Sequence, residues 1–93
     1  GIWVSPFEVE SALVSHVAVF EAAVVAHEDD DGLVKPKAFV VLNEGYAIEG
    51  LFDELKDHVK AQAGAWKYPR WIEFLPDLPK TATGKIQRFK LRA

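Results

Sequence analysis

The spacing of apolar positions changes along the chain, and each change marks an element. Val9, Ala12 and Leu13 recur at helical spacing and leave Glu8, Glu10 and Ser11 on the outer face. Ser5-Pro6-Phe7-Glu8 supplies the start of that helix. Ser5 is the cap, Pro6 suits the first helical position and Glu8 can return a capping-box bond, which predicts a helix over 6–14. Val17 to His27 is dense in β-branched and small apolar residues, and Glu28-Asp29-Asp30-Asp31-Gly32 follows as a turn signal, so strand, turn and second strand are expected. The second strand is placed at 35–42, where Pro36 must sit near the start or on an edge because it cannot donate a ladder hydrogen bond. The unbroken apolar run Ala38-Phe39-Val40-Val41-Leu42 predicts cover on both faces of the sheet. From Glu49 to Ala63 the repeat is helical again, with Leu51, Phe52, Leu55 and Val59 on one stripe and Gly64 as terminator. Trp71 to Leu75 reads as a third strand. The expected fold is α+β: a small, mostly antiparallel three-stranded sheet flanked by helices near 6–14 and 49–63, with a short C-terminal helix or turn from about Gln87.

Composition narrows the class. With 49% hydrophobic and 27% charged residues in 93 positions, the chain is one small folded domain, 1–93. That is short for a two-substrate enzyme with its own cleft, so a partner domain is expected, and the start at Gly1 suggests a fragment of a larger protein. No apolar run approaches the ~20 residues that span a bilayer, so no membrane partner is expected. The absence of cysteine excludes disulfides and thiol chemistry and suits a cytoplasmic setting. The net charge of −3 is unevenly distributed: Lys67, Arg70, Lys80, Lys85, Arg88, Lys90 and Arg92 face only Glu73 and Asp77 in residues 66–93, a local +5 against −8 elsewhere. This basic end points to an anionic ligand or an acidic surface, and against it stands the plain reading of a solvated charged tail. No nucleic-acid reading module accompanies it, so nucleic acid is not expected.

Candidate chemistry concentrates in Pro79-Lys80-Thr81-Ala82-Thr83-Gly84-Lys85-Ile86-Gln87-Arg88. Gly84 lets backbone approach a ligand and Lys85 offers a compact positive charge to an oxyanion. The segment is not a P-loop, since Pro79 and Ile86 stand where that motif needs glycine and a hydroxyl residue. Thr81 and Thr83 lack an accompanying base and read as loop hydrogen-bonders. Trp71 belongs to the strand pattern, whereas Trp66 beside Lys67 in a proline-containing loop can serve a ligand. His16 is expected on the surface, complementing the helix end, and His58 half-buried beside the apolar stripe. Neither has the companions of a metal site, and the acidic turn lacks the ligand pattern of a calcium loop, so no metal-binding residues are assigned.

Over nearly its whole length the chain resembles the C-terminal domain of the acyl-adenylate-forming enzymes. The resemblance lies in Gly1, Ser5-Pro6-Phe7-Glu8-Val9-Glu10, Lys35-Pro36-Lys37-Ala38-Phe39-Val40-Val41, Trp66-Lys67-Tyr68-Pro69-Arg70 and Leu78 to Arg88, four blocks in order. The wording of the first two is similar to benzoate–CoA ligase and its aryl-acid relatives. The resemblance implies a mobile lid that acts with a large N-terminal domain of the same enzyme in two steps. An aryl acid and ATP with Mg²⁺ give an acyl-adenylate and pyrophosphate, and coenzyme A then displaces AMP. It further implies that Lys85 is the adenylation lysine, that Gly84 and Thr83 belong to the loop around the nucleotide phosphates, and that Gly1, Trp66 and Lys67 line the coenzyme A tunnel. Trp3 falls where several relatives carry a polar or basic residue.

Two other readings remain open: a lid that serves a carrier protein in place of coenzyme A, and a non-catalytic domain whose basic tail binds an acidic protein. An exposed Lys85 would also suit a lysine acetyltransferase, which would abolish its charge.

Overall fold

In the computed structural model, which describes residues 6–64 and 67–91, the chain runs α1 (Pro6–Val14), β1 (Val19–Glu28), β2 (Val34–Leu42), α2 (Leu51–Ala63) and β3 (Trp71–Phe74), ending in a 3₁₀ turn over Arg88–Leu91. The sheet order is β1-β2-β3. β1 and β2 form a long antiparallel ladder from Val19↔Leu42 to Glu28↔Val34. β3 is short and joins β2 in parallel, from Lys37↔Trp71 to Val40↔Phe74. The longer pairing is therefore the expected antiparallel one, and the mixed character comes from α2, a crossover that returns the chain to the start of β2 pointing the same way.

Alternation in the two long strands separates two apolar layers. Ala22, Val24, Ala38 and Val40 face the helices and pack with Val9 and Leu13 of α1 and Leu51, Leu55 and Val59 of α2. Ala23, Val25, Phe39 and Val41 face the other way and are covered by Leu75, Leu78, Ile86 and Leu91. The apolar run in β2 is covered on both faces, as its composition requires. Pro36 stands near the start of β2, opposite Ala26 and before the β3 pairing begins, and its carbonyl accepts the Arg70 N–H at 3.0 Å. A register shift between Val19 and Glu21 turns Phe20 out to solvent.

Several side chains pin the layers. His16 is largely buried, not a surface residue: its Nδ1 accepts the Ala18 amide at 3.0 Å and its Nε2 lies 2.8 Å from Glu54 of α2. His58 is half-buried as expected, with Nε2 2.7 Å from Ser15 Oγ. Because that hydroxyl lies 2.6 Å from the Ala12 carbonyl and donates to it, the His58 ring donates to the serine. Glu10 departs from the helical-wheel expectation: it is 8% exposed, and its carboxylate accepts the Val24 amide of β1 at 3.2 Å. β1 is an edge strand, and its outward amide draws the carboxylate inward. The capping box proposed between Ser5 and Glu8 lies outside the described residues.

Candidate functional site

Residues 79–87 form a braced hairpin. Lys80 and Ile86 pair as an antiparallel bridge, the Thr81 N–H donates to the Lys85 carbonyl at 2.9 Å, and the Gln87 N–H donates to the Pro79 carbonyl at 2.8 Å. At the tip the Gly84 N–H donates to the Thr81 carbonyl at 3.0 Å, and Gly84 holds φ +86. A turn closed by a left-handed residue is a common three-residue hairpin loop, and it asks for glycine on backbone grounds alone. The threonines are internal to the loop: Thr81 Oγ1 accepts the Lys85 N–H at 3.2 Å and lies 3.0 Å from Thr83 Oγ1. This agrees with their reading as hydrogen-bonders. Lys85 itself is exposed, and among the described residues its ammonium has no acidic partner.

The base of the hairpin is held three ways. Leu78 is buried, and Ile86 and Leu91 pack with it on the β1–β2 layer. Before the loop, Lys80 Nζ lies 2.5 Å from Glu21 Oε1 and 3.5 Å from Asp77 Oδ1. The bond to Glu21 is the main reason the Lys80 ammonium is held above its usual value. After the loop, Arg88 engages Glu10 through Nε at 3.0 Å and through Nη2 at shorter range. That pairing keeps the guanidinium charged beyond its ordinary range.

A second cationic region follows α2. Lys56 and Lys60 of α2 and Arg70 of the connecting loop stand 5.7, 4.5 and 4.3 Å from the centre of the Tyr68 ring, and Arg70 also donates to the Tyr68 hydroxyl. Three cations around one aromatic ring make an anion-attracting surface. Residue-by-residue reading missed this cluster, because Lys56 and Lys60 look like ordinary polar positions of a helix; their i, i+4 spacing just before an aromatic–cationic loop was the available signal. Lys67 is beside it in sequence, but its ammonium is 2.9 Å from Glu8 of α1. Gly1 and Trp66, the other candidates for the coenzyme A tunnel, and Trp3 lie outside the described residues. Tyr68 packs on the helix-side layer and the hairpin on the opposite layer, so the two regions are mounted on opposite faces of the sheet.

Among the described residues, neither region lines the open groove found between the helices. That groove, of about 480 Å³, runs between α1 and α2, is lined by Phe7, Ser11, Ala12 and Gln62 among others, and reaches neither Lys85 nor Tyr68. Among the described residues no three His, Cys, Asp or Glu side chains stand together as metal ligands. No described helix is long and apolar enough to cross a membrane.

Fold and site thus define a small α+β domain that presents a lysine on a hydrogen-bonded hairpin. The chain belongs to the AMP-binding enzyme C-terminal domain family, whose profile matches residues 8–85. It is 68% identical to the benzoate–CoA ligase of Thauera aromatica and 63% identical to the 4-hydroxybenzoate–CoA/benzoate–CoA ligase of Rhodopseudomonas palustris, covering 100% and 99% of this chain but 18% and 17% of those proteins. Among solved structures it matches a benzoate CoA ligase from Burkholderia xenovorans LB400 with TM-score 0.89 at 60% identity, over 98% of this chain and 19% of that one. It also matches an anthranilate CoA ligase in complex with anthranoyl-AMP, with TM-score 0.88 at 56% identity, over 98% of this chain and 18% of that one. The chain spans less than a fifth of the length of these relatives.

Proposed function

We propose that this chain is the mobile C-terminal lid of an ATP-dependent aryl-acid–CoA ligase that converts benzoate or a close analogue, ATP and coenzyme A to aryl-CoA, AMP and pyrophosphate. The observation that carries the reading is Lys85: an exposed ammonium without an acidic partner among the described residues, at the tip of a hairpin and away from the open groove between the helices. Such a group acts on a ligand presented by another body, here the large N-terminal domain of the same enzyme. The similarity to ligases named for benzoate, 4-hydroxybenzoate and anthranilate supports the substrate class.

In this reading Lys85 enters the closed cleft during adenylation and places its ammonium against the acid's carboxylate and the phosphate oxygens, where negative charge gathers as the carboxylate attacks phosphorus. Gly84 and Thr83 shape the loop beside the nucleotide. In this reading ATP is bound with Mg²⁺ mainly by the N-terminal domain. Gly1, Trp66 and Lys67 line the coenzyme A tunnel in the second step. A phosphate reaching Lys67 there competes with Glu8 for its ammonium. Tyr68 is next in sequence to Lys67, and the cations gathered around its ring suit the anionic end of the same molecule. Exchange between two such faces is a hinged motion of the kind that excludes water and completes a site.

The complete enzyme, purified and offered benzoate, 4-hydroxybenzoate and straight-chain acids, tests the reading. Aryl-acid-dependent AMP release and a coenzyme A thioester are expected. Thioester formed only on a carrier protein, or no acid activation at all, would replace it with the carrier-linked or the non-catalytic alternative. We also propose Lys85 as a target of a lysine acetyltransferase in a cytoplasmic setting, because acetylation removes the charge that the first step uses. Peptide mass spectrometry of protein from its native host is the check.

A further inference from the structure

The hairpin that carries Lys85 is fixed at its far end to two other elements at once. Glu10 projects from α1 toward the outer edge of β1 and accepts three donors: the Val24 amide at 3.2 Å, Arg88 Nε at 3.0 Å and Arg88 Nη2 at shorter range. The residue three positions beyond Lys85 is therefore tied to both a helix and an edge strand. The Arg88 guanidinium also lies over the Phe7 ring of α1, 5.3 Å from its centre. At the near end, Lys80 is paired with Glu21, which is on β1 too. Both ends of the loop are thus referenced to the same strand, while Lys85 between them has no acidic partner among the described residues.

A nearly buried carboxylate is an expensive way to hold a surface segment, since an apolar contact of similar shape is often as stable. What a two-pronged guanidinium–carboxylate pair adds is orientation: it fixes both the distance and the plane of its partner. Lys85 must meet a ligand brought by another domain, so its location has to be set from its own side before the ligand arrives. We propose that Glu10 and Arg88 are positioning residues for Lys85, setting the register of the hairpin on the α1–β1 platform so that the ammonium is delivered correctly in adenylation. The proposal rests on the reading of Lys85 as the adenylation lysine.

The test uses the complete enzyme and two assays: acid-dependent pyrophosphate release, and thioester formation from pre-made aryl-adenylate. The variants are Arg88→Ala, Arg88→Lys, Glu10→Gln, Lys85→Ala and the Lys85→Ala/Arg88→Ala pair, each also followed through urea unfolding. Arg88→Ala is expected to slow pyrophosphate release by roughly 10- to 100-fold, the scale of a displaced catalytic group, while the thioester step stays near wild type. Arg88→Lys should recover part of the loss, having the charge without the fork. In the Lys85→Ala background, Arg88→Ala should cost nothing further, because both act through one ammonium. Equal loss in both assays, or a full added loss in the Lys85→Ala background, would show a structural role only and overturn the proposal. If Lys85→Ala collapses pyrophosphate release and Arg88→Ala does not, the positioning role alone fails; if Lys85→Ala leaves pyrophosphate release intact, the reading of Lys85 fails with it. Should Arg88→Ala not fold, Glu10→Gln carries the same test, since its amide oxygen still serves the Val24 N–H.

Discussion

Among the described residues Lys85 is exposed and without an acidic partner, whereas three other cations of the same segment are paired. Lys67 is held by Glu8, Lys80 by Glu21 and Asp77, and Arg88 by Glu10. An unpaired ammonium on an exposed turn is open both to a ligand and to modification, and acetyl-Lys85 is expected in protein from the native host under some growth condition. Only unmodified lysine in that peptide under every condition would refute the modification. Lys85 and Gly84 were legible in the sequence because a glycine–lysine pair in a polar loop is a local signal. Glu10 was not. Helical spacing assigns it to solvent, and what brings it inward is an edge-strand amide and an arginine 78 positions away, neither of which periodicity can register.

At the scale of elements, the two helices and the β1–β2 ladder follow from apolar spacing that agrees with local propensity throughout. The parallel course of β3 was less visible, since a four-residue strand says nothing about direction, although a helix of α2's length between two strands favours a crossover. The acidic turn between β1 and β2 is organised from within. Asp29 Oδ1 accepts the Asp31 and Leu33 amides at 2.9 Å each, and Oδ2 lies 2.6 Å from Lys35 Nζ. The bond from Lys35 is the largest influence holding the Asp29 carboxyl below its ordinary 3.8. A depressed carboxyl contributes stability above its ordinary value and loses it as the pH falls through its lowered folded value. The protection factors of the Asp31 and Leu33 amides in the complete enzyme, which divide out the intrinsic slowing of exchange in acid, should therefore drop as the pH falls. Asp29→Asn, which cannot ionise, should exchange faster than wild type near neutrality and approach it below 3.8. A gap between the two that held constant through that range would contradict the assignment.

For the whole molecule, part of the charge asymmetry has a structural use. Three of the seven cations in residues 66–93 are matched to acids of α1 and β1 or to Asp77, so this part of the asymmetry fastens the C-terminal segment across the sheet. The loop of small residues that carries Lys85 is thus braced at both ends, and the cations around Tyr68 are carried by the opposite layer. That two-sided layout is what a lid alternating between two half-reactions requires, and it could not be read from spacing because it depends on which face of the sheet each loop returns to.

In the proposed function Lys85 serves one half-reaction only. In the complete enzyme, Lys85→Ala assayed for both steps on a single preparation tests it most directly. Acid-dependent pyrophosphate release should fall by about 10²-fold, the effect of losing roughly 3 kcal/mol of transition-state stabilisation, with thioester formation from pre-made adenylate little changed. Near-normal pyrophosphate release with a collapsed thioester step would contradict the account.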